Sequence, residues 1–171
     1  MFESNIIIKG KHSGYLKFLS EKTKLLGESN MKNGVNIFKR FVDTLMIAPL
    51  VGAIKGLRAP EDKESDDKAQ ILADQLIRES ENLRFIYRLV ILTDTSKGYD
   101  PDTKIKVVFK EEGDFDLFMD YVRGGIEYLY DFFTDGATLK EDYYDRMGQL
   151  ISDIEMEYND NYEEILSKIT K

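Results

Sequence analysis

The sequence predicts a mainly helical, all-α or nearly all-α, single-domain protein: one bundle of roughly six to seven helices, with room for one short two-stranded β pairing. Three observations predict it. Apolar residues recur at i, i+3 and i+4 over most of the chain. Only three prolines interrupt its 171 residues. A hydrophobic content of 42%, with ten Tyr and ten Phe, is enough to pack a core. At this length one domain over residues 1–171 buries about 70% of the surface its unfolded chain exposes.

The elements follow in order. Asn5–Lys9 (NIIIK) is a short strand or an extended lead-in. Ser13 is a candidate N-cap for a helix carrying Tyr15, Leu16, Leu19 and Leu26, which Gly27 ends before the turn-rich GESNMKNG. A second helix is expected over Val35–Leu57, where Ile37, Phe38, Phe41, Val42, Leu45 and Met46 keep helical spacing. Pro49 should kink it, because proline lacks the N–H and crowds the preceding turn. Ala59–Asp67 is a charged loop with a helix start expected inside it. Helical spacing returns through Ile71, Leu72, Leu76 and Ile77, with a break or polar turn at Glu79–Asn82. Leu83–Leu92 (LRFIYRLVIL) reads as a central buried helix, with a strand as the alternative. Thr93–Thr103 is a turn region. Lys104–Lys110 (KIKVVFK) has the pattern of a brief strand, with Asn5–Lys9 as its candidate partner. Helices are expected over Asp114–Thr134, Leu139–Tyr158 and Tyr162–Ile169.

Within Asp114–Thr134 stand two adjacent glycines, Gly124 and Gly125, each costing about 1 kcal/mol in a helix relative to alanine. Phe115, Phe118, Met119, Val122, Ile126, Leu129 and Phe133 form one apolar stripe at about 100° per residue. Gly125 lies on its flank, where a missing Cβ lets another helix approach. Gly124 lies opposite the stripe's centre and calls for a second covering element or a bend. Packing is favoured over a phosphate loop, since the pair has neither a preceding strand nor the glycine spacing such loops need.

The net charge of −8 divides unevenly. Residues 1–58 carry about +6 and residues 59–171 about −14, so the chain either presents a partner-binding face or folds two differently charged surfaces against each other. In the basic third, Lys9, Lys11, Lys17, Lys39 and Arg40, with Lys22, Lys24 and Lys32, could contact phosphates or a protein partner. The acidic remainder opposes binding to a duplex, and could itself dock a basic protein or mimic DNA.

No cysteine is present, which excludes disulfides and thiolate chemistry. No basic segment precedes Ile6–Ile8, and the longest apolar stretch, Leu45–Ile54, is too short for a membrane span. The chain is read as cytoplasmic, with no membrane partner. His12, the single histidine, sits among polar residues and is expected to be exposed. One histidine without cysteine nearly excludes zinc. Asp94, Ser96, Gly98, Asp100 and Asp102 resemble a calcium loop, but Tyr99 and Ile105 stand where glycine and the bidentate glutamate belong. Pro101-Asp102-Thr103-Lys104 lacks the second half of a nuclease core. Asp153, Glu155 and Glu157 point to different sides of a helix and read as solvated surface. No catalytic residue, metal ligand or cofactor is expected.

Three segments carry a resemblance: Phe41–Gly52 (FVDTLMIAPLVG) with Arg58-Ala59-Pro60, the helix at 83–92, and Tyr121–Ile126 with Leu129. Ala48 and Gly52 match an Ala-x-x-x-Gly helix end. Tyr121, Gly124 and Gly125 match an aromatic-Ala-x-Gly-Gly segment, with Val122 in place of alanine and Pro49 a departure in the first patch. In these positions the chain resembles small accessory proteins of bacterial DNA phosphorothioation (Dnd) systems, found in anti-phage defence islands. The resemblance implies a context, association with larger ATPase or nuclease subunits, and no chemistry; Gly52, Gly124 and Gly125 are structural in it. The expected function is a non-enzymatic accessory or adaptor subunit acting through protein contacts. The alternative is a nucleic-acid-binding or DNA-mimicking regulator, such as a phage-encoded inhibitor.

Overall fold

A computed structural model describes residues 1–20, 36–110, 113–137 and 140–169, with residues 158–169 as backbone alone. The elements are β1 (Ile6–Lys9), α1 (Lys11–Ser20), α2 (Phe41–Ile54), β2 (Lys68–Ile71), α3 (Ala73–Arg78), α4 (Ser80–Thr93), α5 (Pro101–Val108), α6 (Phe115–Thr134) and α7 (Lys140–Ile169). The architecture is therefore mainly helical, with one short antiparallel sheet among the described residues. No helix among them is long and apolar enough to cross a membrane.

α6 is the central element, packed by α1, α2, α4 and α7. Phe118, Val122, Leu129 and Phe133 are fully buried along its apolar stripe, and Phe2 closes one end edge-on against Phe115 and Phe118. The closest approach is to α2. On that helix Ala48 and Gly52 are buried four residues apart, the small side that two backbones need to touch. A Cβ on Gly125 would overlap the carbonyl of Ala48, and one on Gly52 would overlap the carbonyl of Tyr121.

Gly124 meets a different element. α2 ends in a Schellman arrangement: Gly56 adopts φ +65°, its N–H donates to Ala53 O at 3.2 Å, and Leu57 N–H donates to Gly52 O at 2.7 Å. This turn throws residues 57–59 across α6. A Cβ on Gly124 would stand 2.5 Å from Leu57 O and 2.8 Å from Arg58 N. Ala59 N–H then donates to Asp120 O at 3.0 Å, and Arg123 Nε–H donates to Ala59 O at 2.9 Å. The far side of α6 is thus covered by a loop held on by hydrogen bonds, and each glycine has its own neighbour.

Several expectations are corrected. β1 pairs with Lys68–Ile71, in register Ile6 with Ile71 and Ile8 with Ala69, and not with Lys104–Lys110. Lys104–Lys110 is helical up to Val108, because Asp100 caps α5 by accepting from Thr103 N–H at 3.0 Å and Pro101 suits a first helical turn. The helical spacing read from Ile71 begins only at Ala73, since Ile71 belongs to β2. α1 starts at Lys11 rather than Ser13: Gly10 turns the chain at φ +61°, and Ser13 Oγ is buried without a partner. α2 starts at Phe41 rather than Val35, where the Asp43 carboxylate accepts the Arg40 N–H at 2.9 Å. It continues through Pro49 to Ile54. α7 runs unbroken where two helices were expected. Leu26, Gly27 and the loop after them lie outside the described residues.

Candidate partner-binding surface

The cations of the basic N-terminal third largely face carboxylates from the acidic remainder. Lys9 Nζ lies 3.3 Å from Glu61, and Lys11 Nζ lies 2.7 Å from Glu127. Arg40 reaches both Asp43 at 2.5 Å and Glu79 at 2.9 Å, which raise its pKa further, while Arg40 pulls Glu79 down. Lys55 bonds to Glu157 at 2.5 Å, and that bond raises its pKa. Glu157 is therefore an anchor for α7 and not merely solvated surface. Of the expected contact residues, Lys17 is half-buried and Lys39 exposed, with no carboxylate partner among the described residues. Lys22, Lys24 and Lys32 lie outside the described residues. Among the described residues the uneven charge along the chain is partly folded against itself, through Lys9, Lys11, Arg40 and Lys55.

His12 is corrected from exposed to fully buried. Its Nε2 lies 2.8 Å from Glu127 Oε1, the oxygen that also holds Lys11. Burial lowers the His12 pKa more strongly than Glu127 raises it. Burial would raise that of Glu127, but the bonds from Lys11 and His12 outweigh it and lower it. The consistent state is a neutral imidazole donating Nε2–H to a carboxylate, with buried Nδ1 unprotonated and without a partner. Among the described residues no group of three or more potential ligands is placed to hold a metal.

The calcium-like stretch is likewise occupied internally. Asp94 is buried, accepts Tyr121 Oη–H at 2.6 Å and Ser96 N–H at 2.9 Å, and has Arg58 3.8 Å away. Burial opposes its ionisation, but these hydrogen bonds win and its pKa falls. Burial, then the bond to Asp94, pushes Tyr121 up to about 12.

α4 departs most from expectation. It buries Leu83, Tyr87, Val90 and Ile91 but leaves Phe85, Leu89 and Leu92 on its outer side. These three fall at i, i+4 and i+7, one stripe of the helix. Beside it, α5 exposes Ile105 and its C-terminal neighbour Phe109. Phe85 is 66% and Phe109 64% exposed, unusual for phenylalanine, and the guanidinium of Arg88 sits 4.7 Å over the Phe109 ring. Next to Phe109 a cleft of about 470 Å³ opens between the N-terminus and α4, lined by Met1, Glu3, Arg84, Arg88, Phe109 and Lys110. These apolar residues were missed in the sequence because the run reads as buried throughout. The signal was Arg84 and Arg88, four apart, which a helix buried on all sides does not accommodate.

Comparison of the chain with protein-family models, with curated protein sequences and with solved structures found no match.

Proposed function

We propose that the protein is a non-enzymatic adaptor that works by protein–protein contact, with the outer face of α4 and α5 as its docking surface. The observation that carries this reading is the apolar stripe of Phe85, Leu89 and Leu92 on α4, with Ile105 and Phe109 exposed on the neighbouring α5 segment and the two phenylalanines the most exposed large apolar side chains among the described residues. A contiguous exposed patch of this kind has a free-energy cost that burial against a partner removes. The Ala48/Gly52 and Tyr121/Gly124/Gly125 patches support a setting in a bacterial anti-phage defence system of the DNA phosphorothioation type, among larger subunits.

The nucleic-acid reading has less to rest on. Lys9, Lys11 and Arg40 already hold carboxylates, and freeing them would cost the attraction that a phosphate would return. Two measurements test the proposal. A gel-shift titration with double- and single-stranded DNA at physiological salt is expected to show no complex. Affinity capture from the native host is expected to retain a stoichiometric partner. A DNA complex at physiological salt, with no protein partner captured, would sink the adaptor reading.

A further inference from the structure

The α4–α5 face is not only apolar; it also carries exposed cations. Arg88, Lys106 and Lys110 are exposed and meet no carboxylate among the described residues. Arg84 reaches only Glu3, at 3.5 Å across two exposed side chains. This sets the face apart from Lys9, Lys11, Arg40 and Lys55, which are held by carboxylates at 3.3 Å or less. Within α4 and α5 the opposing charges are Glu81 and Asp102, each in the first turn of its helix, where the helix dipole favours a carboxylate, and Glu3 lines the cleft beside Phe109. In a chain of net charge −8, the four cations Arg84, Arg88, Lys106 and Lys110 outnumber Glu3, Glu81 and Asp102, the carboxylates described on this face.

We infer that this face receives an amphipathic acidic helix of a protein partner, whose apolar side covers Phe85, Leu89, Leu92, Ile105 and Phe109 while its carboxylates meet Arg84, Arg88, Lys106 and Lys110. The inference rests on the adaptor reading and adds the chemistry of the partner. The stripe on α4 has the i, i+4, i+7 spacing that a partner helix with the same spacing can cover, and the cleft beside Phe109 offers a recess for one large side chain. The charge pattern separates this occupant from two others. DNA or an anionic membrane is an extended polyanion that feels the whole molecule's charge of −8. A single helix on the face feels mainly charges within a Debye length of about 8 Å, where cations prevail.

The test uses the full chain and three probes: a synthetic helical peptide with leucines at i, i+3, i+4 and i+7 and glutamates elsewhere, the same peptide with lysines for glutamates, and vesicles of phosphatidylserine and phosphatidylcholine. Fluorescence anisotropy is expected to show saturable binding of the glutamate peptide, at least about tenfold tighter than the lysine peptide. Phe85→Asp should abolish it, and the double reversal R88E/K106E should invert the preference. All three positions are exposed, and unchanged circular dichroism and thermal midpoint confirm that the variants fold. Equal binding of the two peptides, binding indifferent to these substitutions, or Phe85-dependent binding to vesicles without peptide binding would overturn the inference. A host partner that is captured equally by wild type and R88E/K106E would overturn it too, while leaving the adaptor reading standing.

Discussion

Gly125 on α6 lies against the backbone of Ala48 on α2 with no space for a methyl group between them. The contact is main chain to main chain, so it cannot be relieved by turning a side chain. Gly125→Ala must push the two helices apart, and overpacking of this kind costs about 1–3 kcal/mol or more. Gly14 in α1 and Gly148 in α7 have open space where a Cβ would go and no positive φ. There alanine should stabilise by about 0.5–1 kcal/mol. Urea denaturation of Gly125→Ala, Gly14→Ala and Gly148→Ala is expected to give opposite signs for the first and the other two. The idea fails if Gly125→Ala is neutral.

Gly124→Ala should behave differently from Gly125→Ala. The atoms in its way, Leu57 O and C and Arg58 N, belong to a loop rather than a helix. The expected result is partial release of residues 57–59, with loss of the Ala59–Asp120 and Arg123–Ala59 hydrogen bonds. Hydrogen exchange at Ala59 should rise in Gly124→Ala more than exchange within α2. Protection at Ala59 equal to wild type would contradict this.

Much of this helix pairing was legible in the sequence, because glycines inside a strong apolar period have few explanations besides close approach. What was not legible depended on partners far along the chain. His12 looked exposed because its neighbours are polar, yet Glu127, on another helix, covers it. Lys68–Ile71 offers only Ala69 and Ile71 on one side, too little to announce a strand before Ile6 and Ile8 are seen opposite. α4 read as buried on composition, and only the angular positions of Phe85, Leu89 and Leu92 show that these three of its apolar residues face out. The basic third looked like a surface for phosphate because sequence does not show that Glu61, Glu79 and Glu127 come to meet it.

Tyr121→Phe should leave Asp94 buried and short of one donor. Hydrogen bonds to a charged group contribute about 1.5–3 kcal/mol, and a loss of that size is expected in denaturant unfolding at neutral pH. The pH dependence gives a second readout. The Tyr121 hydroxyl titrates at about 12 in the fold against 10.0 when unfolded. Its contribution is full below pH 10.0 and is lost as pH rises towards 12. Stability above pH 10.0 should therefore fall less steeply in Tyr121→Phe than in the wild type. Parallel curves would show that this hydroxyl is not the group in question.

Acid should act on the His12–Glu127 contact in two steps. Groups facing His12 are Glu127 of α6, which favours its protonation, and Lys11 and Arg123, which oppose it, with burial the largest effect. The folded pKa lies below 6.5, so as pH falls past 6.5 the unfolded chain takes up the proton first and stability drops. Glu127 is also depressed, from 4.5, so its contribution is present above that value and is lost as pH falls further. His12→Gln keeps a side-chain N–H that can reach Glu127 but does not titrate. The expected outcome is a flatter stability curve just below pH 6.5 with the second, lower step retained. An unchanged slope below pH 6.5 would remove His12 from the account.

α7 should open before α6. From Lys140 to Glu157 it buries only Tyr143 and Leu150, with Met147 and Ile154 partly covered, whereas α6 buries ten of its residues. Its polar anchor, Lys55 to Glu157, joins two partly exposed side chains, so screening by salt weakens it. Local opening free energies follow buried apolar contact. Native-state hydrogen exchange is expected to give residues 143–157 markedly lower protection than 117–133, and Leu150→Ala should lower it further while leaving α6 unchanged. If both helices exchanged with one common free energy, α7 would instead be part of the same cooperative unit as the α2–α6 crossing, and Leu150→Ala would destabilise the two equally.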